Sequence, residues 1–311
     1  MDAAIARNRS SAYINIGHGP MRVDEHARDV GALTGSIRQQ AVSKGFRLHV
    51  LGTVGSDELL MLDSAREQEG PHLLIAAGFH GEESAGPWGV LSFLERVRPQ
   101  AMAGINLSII PIVNPSGLRA GRRQNDWGEN PNSGFCHPEL DRDPPSREGR
   151  ILLDNLAALV ARGQDGFLSL HEDIDQERFY CYTFEPGAEP GPFSNMLRDT
   201  GCRCFGAVPD CADPDIGQVR NGIIYRHCDG SFEDRLFHEG VPCTACTETP
   251  GKRQFTSRVD ANRAIVNSFV DYMQREHRMS YDDAEEFFEF NMLGAWMGER
   301  TPAFFERPYR V

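Results

Sequence analysis

Seven consecutive residues, Leu73-Leu74-Ile75-Ala76-Ala77-Gly78-Phe79, carry no polar side chain, and the chain turns polar at once with His80-Gly81-Glu82-Glu83. So short an apolar run reads as a strand buried on both faces, because alternate side chains point in opposite directions and neither set is made for water. Only a sheet covered on both sides can take such a strand. Further strands are expected at 46–54, 59–63, 105–113, 166–171, 179–184 and 241–247, and helical spacing of apolar residues at 24–44, 89–97, 151–162 and 261–274. Strands alternating with helices imply an α/β fold. A length of 311 residues suits one large domain of this kind or two small ones. Residues 115–147 are polar without periodicity, which marks a loop with a function or a disordered one. The acidic helix and the Arg/Pro/Phe-rich tail after Ser280 read as an appendage. The expected division is a catalytic domain at 1–279 and an extension at 280–311, packed on it or on a partner subunit of a homo-oligomer.

Charge limits the partners. A net charge of −13 disfavours nucleic acid and anionic membrane surfaces. The N-terminal segment lacks the apolar core of a signal peptide, and no stretch is long enough to span a bilayer. A cytoplasmic address is therefore expected, with the eight cysteines reduced. Cys202, Cys204 and Cys211 lack the paired spacing of a zinc knot. Cys243 and Cys246 lie three apart in an expected strand and so point to opposite faces. The cysteines are read as buried free thiols.

Polar groups gather just beyond the ends of the expected strands, where open α/β sheets bind ligands. His80 and Glu83 have H-x2-E spacing on a turn, bringing an imidazole and a carboxylate to one point. His171 ends another strand and supplies a third ligand, the number a catalytic zinc site takes while leaving a fourth position open. Glu248, ahead of Thr249-Pro250-Gly251, is a carboxylate at the end of an apolar strand and a candidate general base. Asn114-Pro115-Ser116-Gly117 is followed by Arg119, Arg122 and Arg123, then Asn125 and Asn132. This is a possible donor set for an oxyanion and for a substrate carboxylate.

In this order, His80-x-x-Glu83, Asn114-Pro115-x-Gly117, Arg123, Asn132, His171 and Glu248-Thr249-Pro250-Gly251 resemble the zinc carboxypeptidase family over residues 47–274. The resemblance implies a single α/β domain with a twisted mixed sheet of about eight strands flanked by helices. It implies one Zn2+ held by His80, Glu83 and His171, with Glu248 as general base and Arg123, nine residues before Asn132, polarising the scissile carbonyl. Two departures stand out. Asn132 is followed by Ser133, where family carboxypeptidases have the Arg that clamps the substrate's C-terminal carboxylate. The mobile-loop Tyr is replaced by Leu236 or Phe237, leaving Tyr225 or His238 as substitutes.

The expected function is zinc-dependent hydrolysis of an amide in a small peptide or acyl-amino acid, with an anionic substrate contacted by Asn132, Ser133, Arg122, Arg119 and Tyr225. The alternatives are an N-deacylase like aspartoacylase or succinylglutamate desuccinylase, and an inactive metal-binding module.

Overall fold

In a computed structural model of the chain, the structure describes residues 27–64, 67–136, 144–213 and 217–296. The expected helix start at Asp24 and the tail beyond Trp296 lie outside them. Helix α1 (Val30–Ser43) leads into strands β1 (Phe46–Val54), β2 (Asp57–Ser64) and β3 (His72–Ala77), then α2 (Ala85–Arg96), β4 (Asn106–Ile110) and α3 (Pro115–Ala120). Next come α4 (Arg147–Asp154), α5 (Leu156–Arg162), β5 (Gly166–Asp173), β6 (Tyr180–Phe184) and α6 (Pro192–Phe205). The short strands β7 (Cys211–Asp213), β8 (Gly217–Val219) and β9 (Ile223–Tyr225) precede α7 (Phe232–His238), β10 (Thr244–Pro250) and α8 (Phe255–Trp296).

The main sheet has eight strands in the order β1-β2-β4-β3-β5-β10-β6-β9, beside a two-stranded β7–β8 ribbon. Its centre, β4-β3-β5-β10, is parallel, while β1, β2 and β6 run antiparallel to neighbours. Both faces are covered, as the apolar run requires. Leu73, Ile75 and Ala77 of β3 pack into a core shared with α1, α2, α6 and α8. Leu74 and Ala76 enter a second core with Leu152 of α4, Leu159 of α5 and Phe232 of α7.

Several expected bounds move. The helix expected at 151–162 is two helices that meet at Asn155, whose side-chain amide donates to the carbonyls of Ile151 and Leu51. The strand expected to end at Thr247 continues to Pro250, because β5 keeps pairing through Thr249 and Pro250 although β6 stops at Glu248. The polar stretch 115–147 contains α3, and α6 and α7 were not foreseen. Helix α8 starts earlier than its apolar spacing suggested and runs through the expected 279/280 boundary. Among the described residues no helix is long and apolar enough to cross a membrane. The cysteines are free, but only Cys181 and Cys246 are buried, and Cys204 and Cys228 are exposed, which corrects the expectation of uniformly buried thiols.

Helix α8 can approach α2 only because residue 89 has no side chain: a Cβ there would lie 2.5 Å from Cβ of the buried Asn262. Alanine improves helix propensity by about 1 kcal/mol over glycine, yet overpacking a rigid contact costs about 1–3 kcal/mol. Gly89→Ala is expected to lower the urea midpoint at unchanged m-value; a raised midpoint would show that the two helices separate freely.

Candidate metal centre

The turn after β3 places the first two ligands. Gly78 takes a left-handed conformation (φ 68°) as the chain leaves the sheet, and His80 and Glu83 follow, both almost wholly buried. At Gly81 the turn presses on the start of α3 so closely that a Cβ would fall 1.8 Å from the carbonyl carbon of Gly117. Asn114 ties the region together. Its Oδ1 accepts the N–H of Gly117 and caps α3, while its Nδ2 donates to the carbonyls of Phe79 and Arg123 at 3.2 Å each. Asn114 is fully buried, so it is a clamp between the ligand turn and the arginine loop rather than an oxyanion donor. Asn125 is likewise buried and committed to Glu129 and Glu148.

The third ligand and the carboxylate come from the sheet itself. Parallel pairing sets Glu248 of β10 opposite His171 of β5, and antiparallel pairing sets Tyr180 of β6 opposite Glu248. Directly opposed residues share a face, so all three side chains rise on one side. The next residue, Glu172, points the other way. Its carboxylate accepts the N–H of Ala85 at 2.8 Å and pairs with Arg258, anchoring the start of α2.

Around this point His80 Nδ1 lies 2.7 Å from Glu83 Oε1, His171 Nδ1 lies 2.8 Å from Glu83 Oε2, and the two Nδ1 atoms are 3.2 Å apart. The tautomer of His80 follows from its other nitrogen. Asn130 Oδ1 accepts the N–H of Asn132, so it is the amide oxygen, and His80 Nε2 at 3.0 Å must donate to it. Burial lowers the pKa of His80 to about 4, against the opposing pull of Glu83, so the ring is neutral and Nδ1 is a bare acceptor. It therefore faces a carboxylate oxygen with no proton between them. Burial works against charge on both partners of this pair, yet Glu83 and His171 stabilise each other. The His171 imidazole holds Glu83 below the usual carboxylate range, and Glu83, with Glu248 and Glu233 behind it, raises His171 to about 9.

Three ligand atoms converging in this way fit a divalent cation, which would take the place of the proton on His171 Nδ1. A tetrahedral ion with bonds of about 2.0–2.1 Å separates its ligand atoms by about 3.3 Å, and the observed 2.7–3.2 Å needs only slight opening to admit one. The surroundings hold the rings in place, as metal sites require. Phe79 stacks on His171 with centroids 5.5 Å apart and planes 14° apart. Asn132 Oδ1 accepts the N–H of Phe232, which turns its Nδ2 toward His171 Nε2 at 3.4 Å and the Glu233 carboxylate at 3.3 Å.

Glu248 keeps partial solvent access at the mouth of the site. Burial of most of its surroundings and then the Glu83 charge push its pKa up to about 8, against His171 and Arg123. Its Oε1 accepts the Cys246 thiol at 3.5 Å. Arg123 reaches Glu83 Oε1 at only 3.4 Å and leaves 46% of its side chain exposed at the opening. Ser133 donates to the carbonyl of Asn130.

Three expected substrate residues are placed elsewhere. Arg119 pairs with Asp57 at 2.6 Å and lines a separate cleft with α1. Arg122 pairs with Asp126 in solvent. Tyr225 sits on the edge strand β9 and gives its hydroxyl to the carbonyls of Glu185 and Gly187, so it does not replace the missing loop Tyr. His238 lies one helical turn from Asp234 rather than at the centre. Conversely, sequence reading missed Asn130, Glu233 and Tyr180. Tyr180 and Tyr182 alternate along an expected strand, and Ser231-x-x-Asp234 is a helix-start signature that would have placed Glu233 on a helix.

Comparison with known proteins agrees with this geometry. The succinylglutamate desuccinylase/aspartoacylase catalytic domain family matches residues 69–179. A solved structure of a candidate metallopeptidase from Shewanella amazonensis SB2B is 40% identical, with a TM-score of 0.76 and a match covering 80% of this chain and 94% of that one. Another, from Shewanella denitrificans OS217, is 39% identical with a TM-score of 0.75, covering 80% and 92%. A metallo-carboxypeptidase from Burkholderia cenocepacia shares the fold at 16% identity, with a TM-score of 0.57 over 81% of this chain and 69% of that one. No curated protein matches the chain.

If the three ligands hold one ion, the loaded protein unfolds several degrees higher than the chelated one, since a ligand at about 1,000 times its Kd adds about 4 kcal/mol. His171→Ala should carry one equivalent less metal by elemental analysis and lose that stabilisation; unchanged metal content would remove His171 from the site. With the fold and a relative this similar in agreement, the chain belongs to the zinc carboxypeptidase-like family, nearer its succinylglutamate desuccinylase/aspartoacylase branch than the digestive carboxypeptidases.

Proposed function

We propose that the protein is a zinc-dependent hydrolase that cleaves an amide bond in a small peptide or acyl-amino acid. The observation that carries this reading is the register of β5 and β10, which sets a proton-accepting carboxylate, Glu248, directly beside the ligand His171. His80, Glu83 and His171 would hold the ion, and zinc, when bound, supplies Lewis acidity toward a carbonyl and an attacking water. The remaining chemistry falls to the chain. Glu248, set beside His171 by the strand register, takes the proton of the attacking water and returns it to the leaving amine. Arg123, half-exposed at the opening, is free to donate to the carbonyl oxygen as charge develops there. Asn132 holds the loop over the site through Phe232 and Glu233.

The match to the desuccinylase/aspartoacylase domain favours an N-deacylase within this class. The missing carboxylate-clamping Arg at Ser133 and the missing loop Tyr support it, because both serve C-terminal exopeptidases. Recognition of an anionic substrate rests on Arg123, as Arg119 and Arg122 are neutralised by Asp57 and Asp126. We place 1–279 as the catalytic unit and assign a cytoplasmic address.

Glu248→Gln should keep its metal content and lose about 10²–10⁴-fold in kcat. Near-wild-type turnover would exclude Glu248 as the base. A panel of N-acyl amino acids, γ-linked and α-linked dipeptides separates the readings: release of free amino acid from the first alone supports a deacylase. A loaded protein inert toward all three would support a metal-binding module without activity.

A further inference from the structure

Helix α7 carries two adjacent buried carboxylates that face different neighbours. Glu233 meets Asn132, whereas Asp234, about 100° further round the helix and 1% exposed, meets a separate group of donors. Asp234 Oδ2 accepts the N–H of Gly230 at 3.0 Å and the thiol of Cys136 at 3.1 Å. On its other side His238 Nδ1 lies 3.0 Å from Oδ1, but that N–H is directed at the main-chain oxygen of Asp234 at 2.9 Å. Oδ1 itself is buried without a hydrogen bond, a costly state for a carboxylate oxygen. Ligand atoms of Cys136, Asp234 and His238 all lie within 4.8 Å of one another.

We propose that Cys136, Asp234 and His238 form a second cation site, selective for a borderline-soft divalent ion of the zinc class. One sulfur, one imidazole and one carboxylate make a three-ligand set, with the fourth position left to water. Thiolate donors select against magnesium and calcium, which prefer all-oxygen shells. An ion there gives the orphaned Oδ1 a partner.

The position of the site suggests its purpose. Cys136 lies four residues after Asn132 on the same stretch of chain, and Phe135 is already bonded to α7 and the turn before it through Arg235 and Gly230. An ion binding Cys136 on one side and Asp234 and His238 on the other fastens this segment to α7. The loop that orients His80 and His171 is thereby fixed from a distance. None of the three ligands belongs to the first centre, so the two sites can be tested independently.

The probe is Co2+, added to the full chain under reducing conditions. The first centre's three ligands include no sulfur, so a thiolate-to-cobalt charge-transfer band that depends on Cys136 reports the second site; Cys246, which lies near His171 and Glu233, is the other thiol that could give one. The band is expected in the wild type and undiminished in His80→Ala. It should vanish in Cys136→Ser and weaken in His238→Ala, an exposed position whose variant should keep the wild-type circular dichroism. Three results would overturn the proposal: no band in the wild type; a band that survives Cys136→Ser, which would move the sulfur to another cysteine such as Cys246; or a disulfide at Cys136 as the resting state in the intact mass.

Discussion

A neutral His80 cannot satisfy both of its neighbours. With its proton on Nε2 for Asn130, it turns a lone pair toward Glu83 Oε1 at 2.7 Å; with the proton on Nδ1, it faces Asn130 Oδ1 with no proton between them. Charging the ring would solve this, but burial opposes a second cation beside His171. A divalent ion removes the conflict, because every converging atom then becomes a ligand. Much of the surrounding structure serves to keep these ligand atoms together. Asn114 clamps the turn, Phe79 stacks on His171, and Glu172 anchors the helix that follows.

This constraint explains why the centre is built on the sheet rather than on loops. Strands β3, β5 and β10 are central and parallel, buried on both faces, and their ends deliver His80, His171 and Glu248 with little freedom. The loop side contributes the adaptable groups, Arg123, Asn130, Asn132 and Ser133. Such a division, with rigid metal ligands and a variable opening, lets one scaffold serve different amide substrates.

How far the sequence could be read followed from range. The β3 run and the H-x2-E turn were legible because a buried strand and a ligand turn are local patterns. The sheet order was not, since pairing β10 between β5 and β6 joins residues far apart in sequence. Glu248 was found by its cost: a carboxylate at the end of an apolar strand needs a reason to be there. The arginines were misread for the same lack of distance information. Three close together suggested a common target, yet Asp57 and Asp126 claim Arg119 and Arg122, and only Arg123 stays at the opening. Asn130 and Glu233 were invisible because their meaning lies entirely in what they touch.

The central claim is that one divalent ion sits among His80, Glu83 and His171. Anomalous diffraction from crystals loaded with a single equivalent of zinc, measured above and below the metal's absorption edge, tests it directly. A dominant peak bounded by the two Nδ1 atoms and the Glu83 carboxylate is the expected result. A difference map empty at that point, with the metal elsewhere or absent, would contradict it.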